Sequence, residues 1–176
     1  MEAEIEQCYL EQSDKVYRFI YLLVRHKETA EDLTQETFYK AFKSFHLFNK
    51  QASVLTWLLK IARNVTYDHF RRKKIIQFFT WGNENDIDTN SPSLEHIAEK
   101  NEDISQLYDA LNKLKKDYRD VLILRKVHEC SIEETAYILG WTEAKVKTKM
   151  ARGFEALRKE FHGKEGFVDG SIKRIR

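Results

Sequence analysis

The sequence is poor in the residues that shape turns and β-structure. It contains six glycines and one proline in 176 residues, too few turn signals for a protein built of short strands. No uninterrupted apolar run approaches the roughly 18 residues that a membrane-spanning helix needs. With 42% hydrophobic and 33% charged residues, the composition also differs from that of a disordered chain. A folded helical protein is therefore expected.

Cysteine and histidine are too scattered to suggest a metal or catalytic centre. Cys8 and Cys130 fit no metal-ligand or disulfide spacing, so we expect two reduced structural thiols in a cytoplasmic protein. The six histidines form no cluster with carboxylates, and neither a glycine-rich phosphate loop nor a nucleophile–base pair is visible. The sequence predicts no catalysis, no cofactor, no metal and no small-molecule substrate.

What the sequence does contain is apolar residues at helical spacing, in two blocks separated by an acidic stretch. Net charge is +3 over residues 1–75, −4 over 76–101 and +3 over 102–176. The middle stretch carries the only proline and several asparagines, which favours a flexible linker. We predict an all-α protein with two small helical domains: a bundle over 1–75, a linker over 76–101, a helix-turn-helix domain over 102–162 and a loose tail over 163–176.

The helix-turn-helix is predicted from its caps. Ser131 followed by Glu134 is a capping box that begins one helix. Gly140 stands where that helix would end in a left-handed residue, and Thr142 can cap the next one. Trp141 lies in the turn, where its ring is expected to pack against the preceding helices.

The second helix of this motif carries a cationic face. Residues 142–159 have a net charge of +4. A helix that presents its N-terminal turns and a cationic face suits the DNA major groove; a solvated surface on an ordinary hairpin is the alternative. The predicted DNA-binding residues are Lys145, Lys147, Thr148, Lys149 and Arg152.

The stretch LTWLLKIARNVTYDHFRRKK, residues 55–74, predicts a second cationic helix. Leu58, Ile61, Ala62 and Val65 would face inward, and residues 60–74 have a net charge of +5. The polar face adds an amide and a phenol ring, which allow base-edge hydrogen bonds and stacking on unpaired bases. Trp57 and Phe70 are expected in the core, and Tyr67 fits either place. The residues of the polar face are Lys60, Arg63, Asn64, Tyr67 and Arg71.

The preceding helix, expected from about residue 29 to 45, offers a candidate protein contact. Its inward stripe is predicted to hold Phe38, Ala41, Phe42 and Phe45. Three polar residues share another face at spacings of three and four, with an exposed Leu33 at its edge. They are Asp32, Gln35 and Glu36. A solvated face is the alternative interpretation.

Three stretches together resemble one protein family. ETAEDLTQETFYKAF, TWLLKIARNVTYDHFRRKK and SIEETAYILGWTEAKVKTKMARGFEALRK are similar, in this order, to the bacterial RNA polymerase sigma factors of the extracytoplasmic-function group. The resemblance covers roughly residues 5–160. It implies a protein that binds core RNA polymerase, directs it to specific promoters and promotes promoter melting.

The resemblance also implies roles for individual residues. The clamp helices of the largest polymerase subunit would be bound by Asp32, Leu33, Gln35, Glu36 and Phe38. The minus-ten element would be read by Lys60, Arg63, Asn64, Asp68 and Arg71, with a flipped base captured by a loop at about 46–53. The minus-thirty-five element would be read by Lys145, Lys147, Thr148, Lys149 and Arg152.

The sequence departs from the family pattern at two places, and the resemblance implies several partners. Where the family commonly has Gly-Thr this chain has Ala144 and Lys145, and where it commonly has Arg-Ala-Arg this chain has Arg152, Gly153 and Phe154. Besides promoter DNA and core polymerase, a membrane-anchored anti-sigma factor is implied, which would hold the inactive protein at the membrane. A stand-alone helix-turn-helix regulator remains the alternative, although it leaves the first block without a role.

Overall fold

The structure, a computed structural model, describes residues 2–48, 50–79 and 102–160. These residues form seven α-helices, and within these ranges there is no β-strand. The chain divides into two compact units, Met1–Ser93 and Leu94–Arg176. The predicted all-α class with two helical units is confirmed.

The first unit is a three-helix bundle. α1 covers Glu2–Val24, α2 covers Lys27–Ser44 and α3 covers Val54–Phe79, and each helix packs against the other two. Apolar residues recur every three or four positions, so each helix has one stripe to bury. Side chains with no exposed surface come from all three helices: Val16, Phe19, Ile20, Ala30, Thr37, Leu58, Leu59 and Ala62.

The turns of the bundle use no glycine, and α2 and α3 are capped at their N-termini by side chains. Arg25 adopts a left-handed φ of 58° between α1 and α2. His26 then caps α2, because its Nδ1 accepts a hydrogen bond of 3.2 Å from the backbone N–H of Thr29. Ser53 caps α3 in the same way, with its hydroxyl 3.1 Å from the backbone nitrogen of Thr56. These caps set where the long polar faces of α2 and α3 begin.

The described part of the second unit, residues 102–160, contains four α-helices and one π-helical turn. α4 covers Glu102–Lys113, α5 covers Lys116–Leu122, the π-helical turn covers Ile123–Val127, α6 covers Ile132–Leu139 and α7 covers Glu143–Glu160. α7 packs against α4, α5 and α6. The most deeply buried apolar side chains are Leu107, Val121, Leu122, Ile123, Leu124, Ile138, Val146 and Leu157.

The structure corrects one predicted boundary. α3 continues to Phe79, so the first bundle does not end at residue 75 as predicted. Helical spacing of the apolar residues through Ile75 and beyond extends the helix past the four cations. The rest of the predicted linker, residues 80–101, lies outside the described residues. So do the last two residues of the predicted helix-turn-helix domain, 161–162, and the predicted tail, 163–176. In the parts of the chain that are described, no helix is long and apolar enough to cross a membrane.

Candidate nucleic-acid interface

The cationic face of α3 is organised around an aromatic ring. The guanidinium carbon of Arg63 lies 5.0 Å from the ring centroid of Tyr67, a cation–π distance. The rings of Tyr67 and Phe70 meet edge to face with centroids 5.7 Å apart. Leu58, Ala62 and Val65 are buried as predicted, whereas Ile61 is half-buried. Tyr67 is therefore a half-buried ring in contact with a cation and a second ring.

Charges on the same helix are paired along its outer face. Asn64 and Arg71 are exposed, and Lys60 is half-buried. Asp68 forms an ion pair with Arg71, one helical turn further along. Asp68 thus orients a cation of this face and reduces its net charge.

The C-terminal half of α3 also contains a histidine with a perturbed pKa. Burial lowers the pKa of His69 from its ordinary value of 6.5, and the nearby cations Arg72 and Lys73 lower it further, while Glu36 acts in the opposite direction. Glu36 is also 3.6 Å from the guanidinium of Arg72. At neutral pH this part of α3 therefore gains no further cation from His69.

The loop before α3 carries a second aromatic group. The 3-10 helix Phe45–Leu47 follows α2, and the rings of Phe45, Phe48 and Trp57 lie with centroids 5.0 to 6.1 Å apart. Trp57 is half-buried in this cluster, and neighbouring Leu47 is 70% exposed. The cluster fixes the loop that the resemblance assigns to base capture. Asn49, in the middle of that loop, lies outside the described residues.

The face of α2 predicted to bind polymerase is only partly exposed. Asp32 and Gln35 are exposed, and Glu36 is half-buried with its carboxylate 2.9 Å from the ammonium of Lys40. Leu33 is 3% exposed and Phe38 is 7% exposed. The prediction of an exposed Leu33 is wrong, and neither apolar side chain lies on the outer surface of α2.

Helix geometry explains this correction. The buried positions of α2 are Ala30, Leu33, Thr34, Thr37, Phe38 and Ala41. They repeat every three or four residues, and so belong to one face. Phe42 lies off this stripe and is 44% exposed, contrary to its predicted inward place, and Tyr39 is 58% exposed. The exposed apolar part of α2 is thus Tyr39 and Phe42.

The helix-turn-helix has the caps that the sequence predicts. The Ser131 hydroxyl accepts from the backbone N–H of Glu134, and the Glu134 carboxylate accepts from that of Ser131. Gly140 ends α6 with a left-handed φ of 65°. The Thr142 hydroxyl then accepts a bond of 3.3 Å from the backbone N–H of Lys145. A short turn therefore sets α7 against α6, as in DNA-binding helix pairs.

The outer surface of α7 carries most of the predicted contacts. Lys145, Lys147, Thr148 and Arg152 are exposed. The Lys145 ammonium lies 4.3 Å from the centroid of the Trp141 ring, so this half-buried ring restrains a cation in the first turn of the helix. The spacing of four residues between Trp141 and Lys145 is a signal that the sequence contained.

Lys149 does not share that outer surface. Its ammonium lies 2.7 Å from the Asp117 carboxylate on α5 and 5.5 Å from the centroid of the Tyr118 ring. The prediction that α7 exposes Lys149 is wrong, because Val146 and Gly153, three and four residues away, are buried and turn this side of α7 toward α5. Sequence reasoning missed Asp117, since a pair 32 residues apart leaves no periodic signal.

The segments that contain the two cationic helices match family models of known transcription proteins. Residues 8–75 match the family model of Sigma-70 region 2, and residues 104–157 match that of Sigma-70, region 4. The first match covers most of α1, all of α2 and α3 as far as residue 75, and the second covers nearly all of α4–α7. The chain is thus a sigma-70-type protein with regions 2 and 4.

Sequence similarity to individual sigma factors shows to which group of sigma-70-type proteins the chain belongs. The chain is 34% identical to the ECF RNA polymerase sigma factor SigX of Bacillus subtilis, in a match that covers 100% of this chain and 93% of SigX. It is 35% identical to the sigma factor YlaC of the same organism, over 88% of this chain and 90% of YlaC. The chain belongs to the extracytoplasmic-function group of sigma factors. It is a promoter-specific initiation factor that binds RNA polymerase.

Solved structures share the fold. The sigma factor RpoE of Bartonella quintana, solved with the anti-sigma factor NepR, matches with a TM-score of 0.73 and 23% identity over 92% of this chain and 98% of RpoE. CnrH, solved with the cytosolic domain of CnrY, matches with a TM-score of 0.68 and 17% identity over 93% of this chain and 91% of CnrH. At these identities the likeness concerns the fold alone.

Proposed function

We propose that the outer face of α3 binds the minus-ten element as a single strand and thereby promotes promoter melting. The observation that most strongly supports this proposal is the Arg63–Tyr67–Phe70 arrangement on a helix with a net charge of +5 over residues 60–74. Unstacking a base costs a few kcal/mol. Stacking on an aromatic side chain returns about 1–3 kcal/mol per base, and cations bind the backbone. The open state is favoured by binding energy alone.

We assign base and backbone contacts on this face from what each side chain presents. Asn64 is exposed and offers an amide to a base edge, while Lys60, Arg63 and Arg71 suit phosphates. Tyr67 supplies the stacking surface. Asp68 acts through its ion pair with Arg71 rather than by touching DNA.

We assign reading of the minus-thirty-five duplex to α7. Lys145, Lys147, Thr148 and Arg152 are exposed on a helix whose start is capped by Thr142. The N-terminal turns of such a helix approach base edges in the major groove. Lys149 is excluded from this set because it pairs with Asp117.

Core polymerase binding is assigned to the outer face of α2. Asp32, Gln35 and Glu36 remain in this surface, with Tyr39 and Phe42 as its exposed apolar part. Aromatic side chains beside polar ones are typical of protein interfaces. Leu33 and Phe38 support the surface from beneath.

An anti-sigma factor is the further partner that we propose. In the two solved structures with the same fold, RpoE is in complex with the anti-sigma factor NepR, and CnrH is in complex with the cytosolic domain of CnrY. A membrane-anchored partner that covers the outer face of α2 would hold this chain at the membrane in the cytoplasm and compete with polymerase.

Transcription in vitro tests the assignment. Purified protein is added to sigma-free bacterial core polymerase on fragmented genomic DNA, and transcript starts are sequenced. New starts that share two spaced upstream elements are expected. Active core without new starts, together with duplex sites protected by the protein alone, would support the stand-alone regulator instead.

A further inference from the structure

An ion pair joins the DNA-facing helix to the helix that supports it. Lys149 on α7 and Asp117 in the first turn of α5 are 2.7 Å apart, and their side chains are 27% and 38% exposed. The Lys149 ammonium also lies 5.5 Å from the ring centroid of Tyr118. The half-buried setting and the ring restrain the lysine, so the pair has a defined geometry.

The two helices also approach closely beside this pair. Gly153, one turn after Lys149, is buried, and a Cβ atom there would lie 3.4 Å from side-chain atoms of Leu122 and Tyr118. Sliding α7 along α5 would bring a larger side chain into this position, while rotating α7 would separate Lys149 from Asp117. The glycine and the ion pair thus restrain two different motions of α7.

We propose that Asp117 and Lys149 are positioning residues, which set the orientation of α7 for reading the minus-thirty-five element and do not touch DNA themselves. The inference rests on the proposed contact between α7 and promoter DNA. A lysine that reached for a phosphate would have to leave both the carboxylate and the ring. Lys147, which is exposed on the same helix, needs no such change.

Whether Asp117→Asn strengthens or weakens promoter affinity distinguishes a positioning role of the ion pair from direct DNA contact by Lys149. Asp117→Asn removes a negative charge from a DNA-binding unit, so simple electrostatics predicts tighter DNA binding. If Asp117 restrained a DNA-contacting lysine, its removal would also release that lysine. A positioning role predicts the opposite, a roughly two- to fivefold weaker promoter affinity, because a partly exposed ion pair contributes modestly.

The experiment measures promoter affinity of the reconstituted holoenzyme at several salt concentrations. The variants are Asp117→Asn, Lys149→Met, their combination, and the exchanged pair Asp117→Lys with Lys149→Asp. Lys147→Met is the matched control, since it removes an exposed lysine two residues away. Helicity by circular dichroism at the assay temperature is recorded for each.

Each result has a defined consequence. The positioning role predicts that both single variants and their combination lose affinity equally, that the exchanged pair recovers it, and that Lys149→Met leaves the salt slope unchanged. It is overturned if Asp117→Asn binds more tightly, if Lys149→Met reduces the slope by about one unit, or if the exchanged pair binds worse than either single variant. If the single variants lose helicity, the exchanged pair decides the question: recovered promoter affinity supports the positioning role, and a further loss of affinity overturns it.

The control tests the underlying assignment separately. Lys147→Met is expected to reduce the salt slope by about one unit. If neither it nor the exposed Lys145→Met changes promoter affinity or slope, then the proposed contact of α7 with DNA is wrong, whatever Asp117 does.

Discussion

At the scale of single residues, Tyr67 combines a packing role with the stacking role proposed for it. Its ring lies within contact distance of Arg63 and of the Phe70 ring, and it remains half-buried. Fixing the ring before DNA arrives means that less side-chain entropy is lost on binding, which costs about 0.5–1.5 kcal/mol for a mobile side chain. A preformed stacking surface suits the capture of an unpaired base.

Tyr67→Ala should weaken binding of the holoenzyme to a single-stranded minus-ten oligonucleotide roughly tenfold, because base stacking on an aromatic ring contributes about 1–3 kcal/mol. Tyr67→Phe keeps the ring and should bind nearly as well as the parent. Fluorescence anisotropy with a labelled oligonucleotide measures both. Equal affinity of the alanine and phenylalanine variants would show that the ring does not stack on DNA.

Cys130 is a buried thiol with a raised pKa. Burial and the nearby Glu134 raise the pKa of its thiol to about 12, and the described structure leaves both Cys8 and Cys130 free. A thiol with such a pKa is almost entirely protonated at neutral pH and a poor nucleophile. The prediction of two unpaired structural thiols is consistent with this environment.

At the scale of elements, the turn between α6 and α7 determines how the DNA-facing helix is presented. Gly140 occupies the left-handed region, and the backbone N–H of Trp141 donates to the Ala136 carbonyl at a distance of 3.0 Å. Because no atom lies within 4 Å of a Cβ added at Gly140, a substitution there meets backbone strain but no clash.

Gly140→Ala should therefore lower the free energy of unfolding of the second unit by about 1–2 kcal/mol, the cost of a left-handed conformation for a residue with a Cβ atom. Gly140→Asn should cost less, since asparagine tolerates that region. Urea denaturation of the full chain, followed by tryptophan fluorescence in a background with Trp57→Phe and Trp81→Phe so that only Trp141 reports, measures the change. If asparagine and alanine cost the same, backbone strain is not the cause.

α3 should also make the stability of the first unit depend on pH, through His69. The lowered pKa of His69 means that the unfolded chain binds a proton more readily than the folded one. The stability of the first unit should thus be complete above the unfolded pKa of about 6.5 and fall as pH decreases through and below that value.

His69→Gln should flatten this decrease, because glutamine does not titrate. Urea denaturation of the parent and the variant at about pH 7.5 and about pH 5.5 gives the comparison, and the other histidines are common to both proteins. The expected result is a smaller loss of stability at low pH in the variant. An identical loss in both would assign the pH dependence to other groups.

At the scale of the whole molecule, the proposed functions assign different partners to the surfaces of the two units. In the first unit, polymerase is assigned to the outer face of α2 and a single strand to that of α3, and the ion pair between Glu36 and Arg72 joins these two faces. In the second unit, duplex DNA is assigned to α7. Two adjacent faces on one bundle provide a physical route by which polymerase binding and strand capture can be coupled.

Substitutions on α2 distinguish a binding surface from its support. Tyr39→Ala should reduce affinity for core polymerase by about tenfold or more, as truncation of an interface aromatic commonly does, with little change in stability. Leu33→Ala should instead lower the free energy of unfolding by about 2–5 kcal/mol, since it leaves a cavity. Titration of labelled protein with core polymerase and urea denaturation separate the two effects. Unchanged polymerase binding by Tyr39→Ala would exclude this residue from the interface.

Much of this architecture follows from local sequence signals. Ser131, Glu134, Gly140 and Thr142 carry the caps of the helix-turn-helix within a dozen residues, so its place and its turn could be predicted. The inward positions Leu58, Ala62 and Val65 of α3 follow from helical spacing in the same way. These signals are local because each depends on backbone groups or side chains within about four residues.

Only the tertiary structure decided which side of each helix is covered by a neighbour. Periodicity placed Phe38 inside correctly, but it did not show that Leu33 is buried and Phe42 exposed, because the positions of α1 and α3 around α2 are needed for that. Nor did it show that Lys149 meets Asp117 on another helix. Sequence alone determined the helices, their caps and the family to which the chain belongs. The packing of helices distant in sequence decided which cations and rings remain available to DNA and polymerase, because burial depends on neighbours that no local pattern specifies.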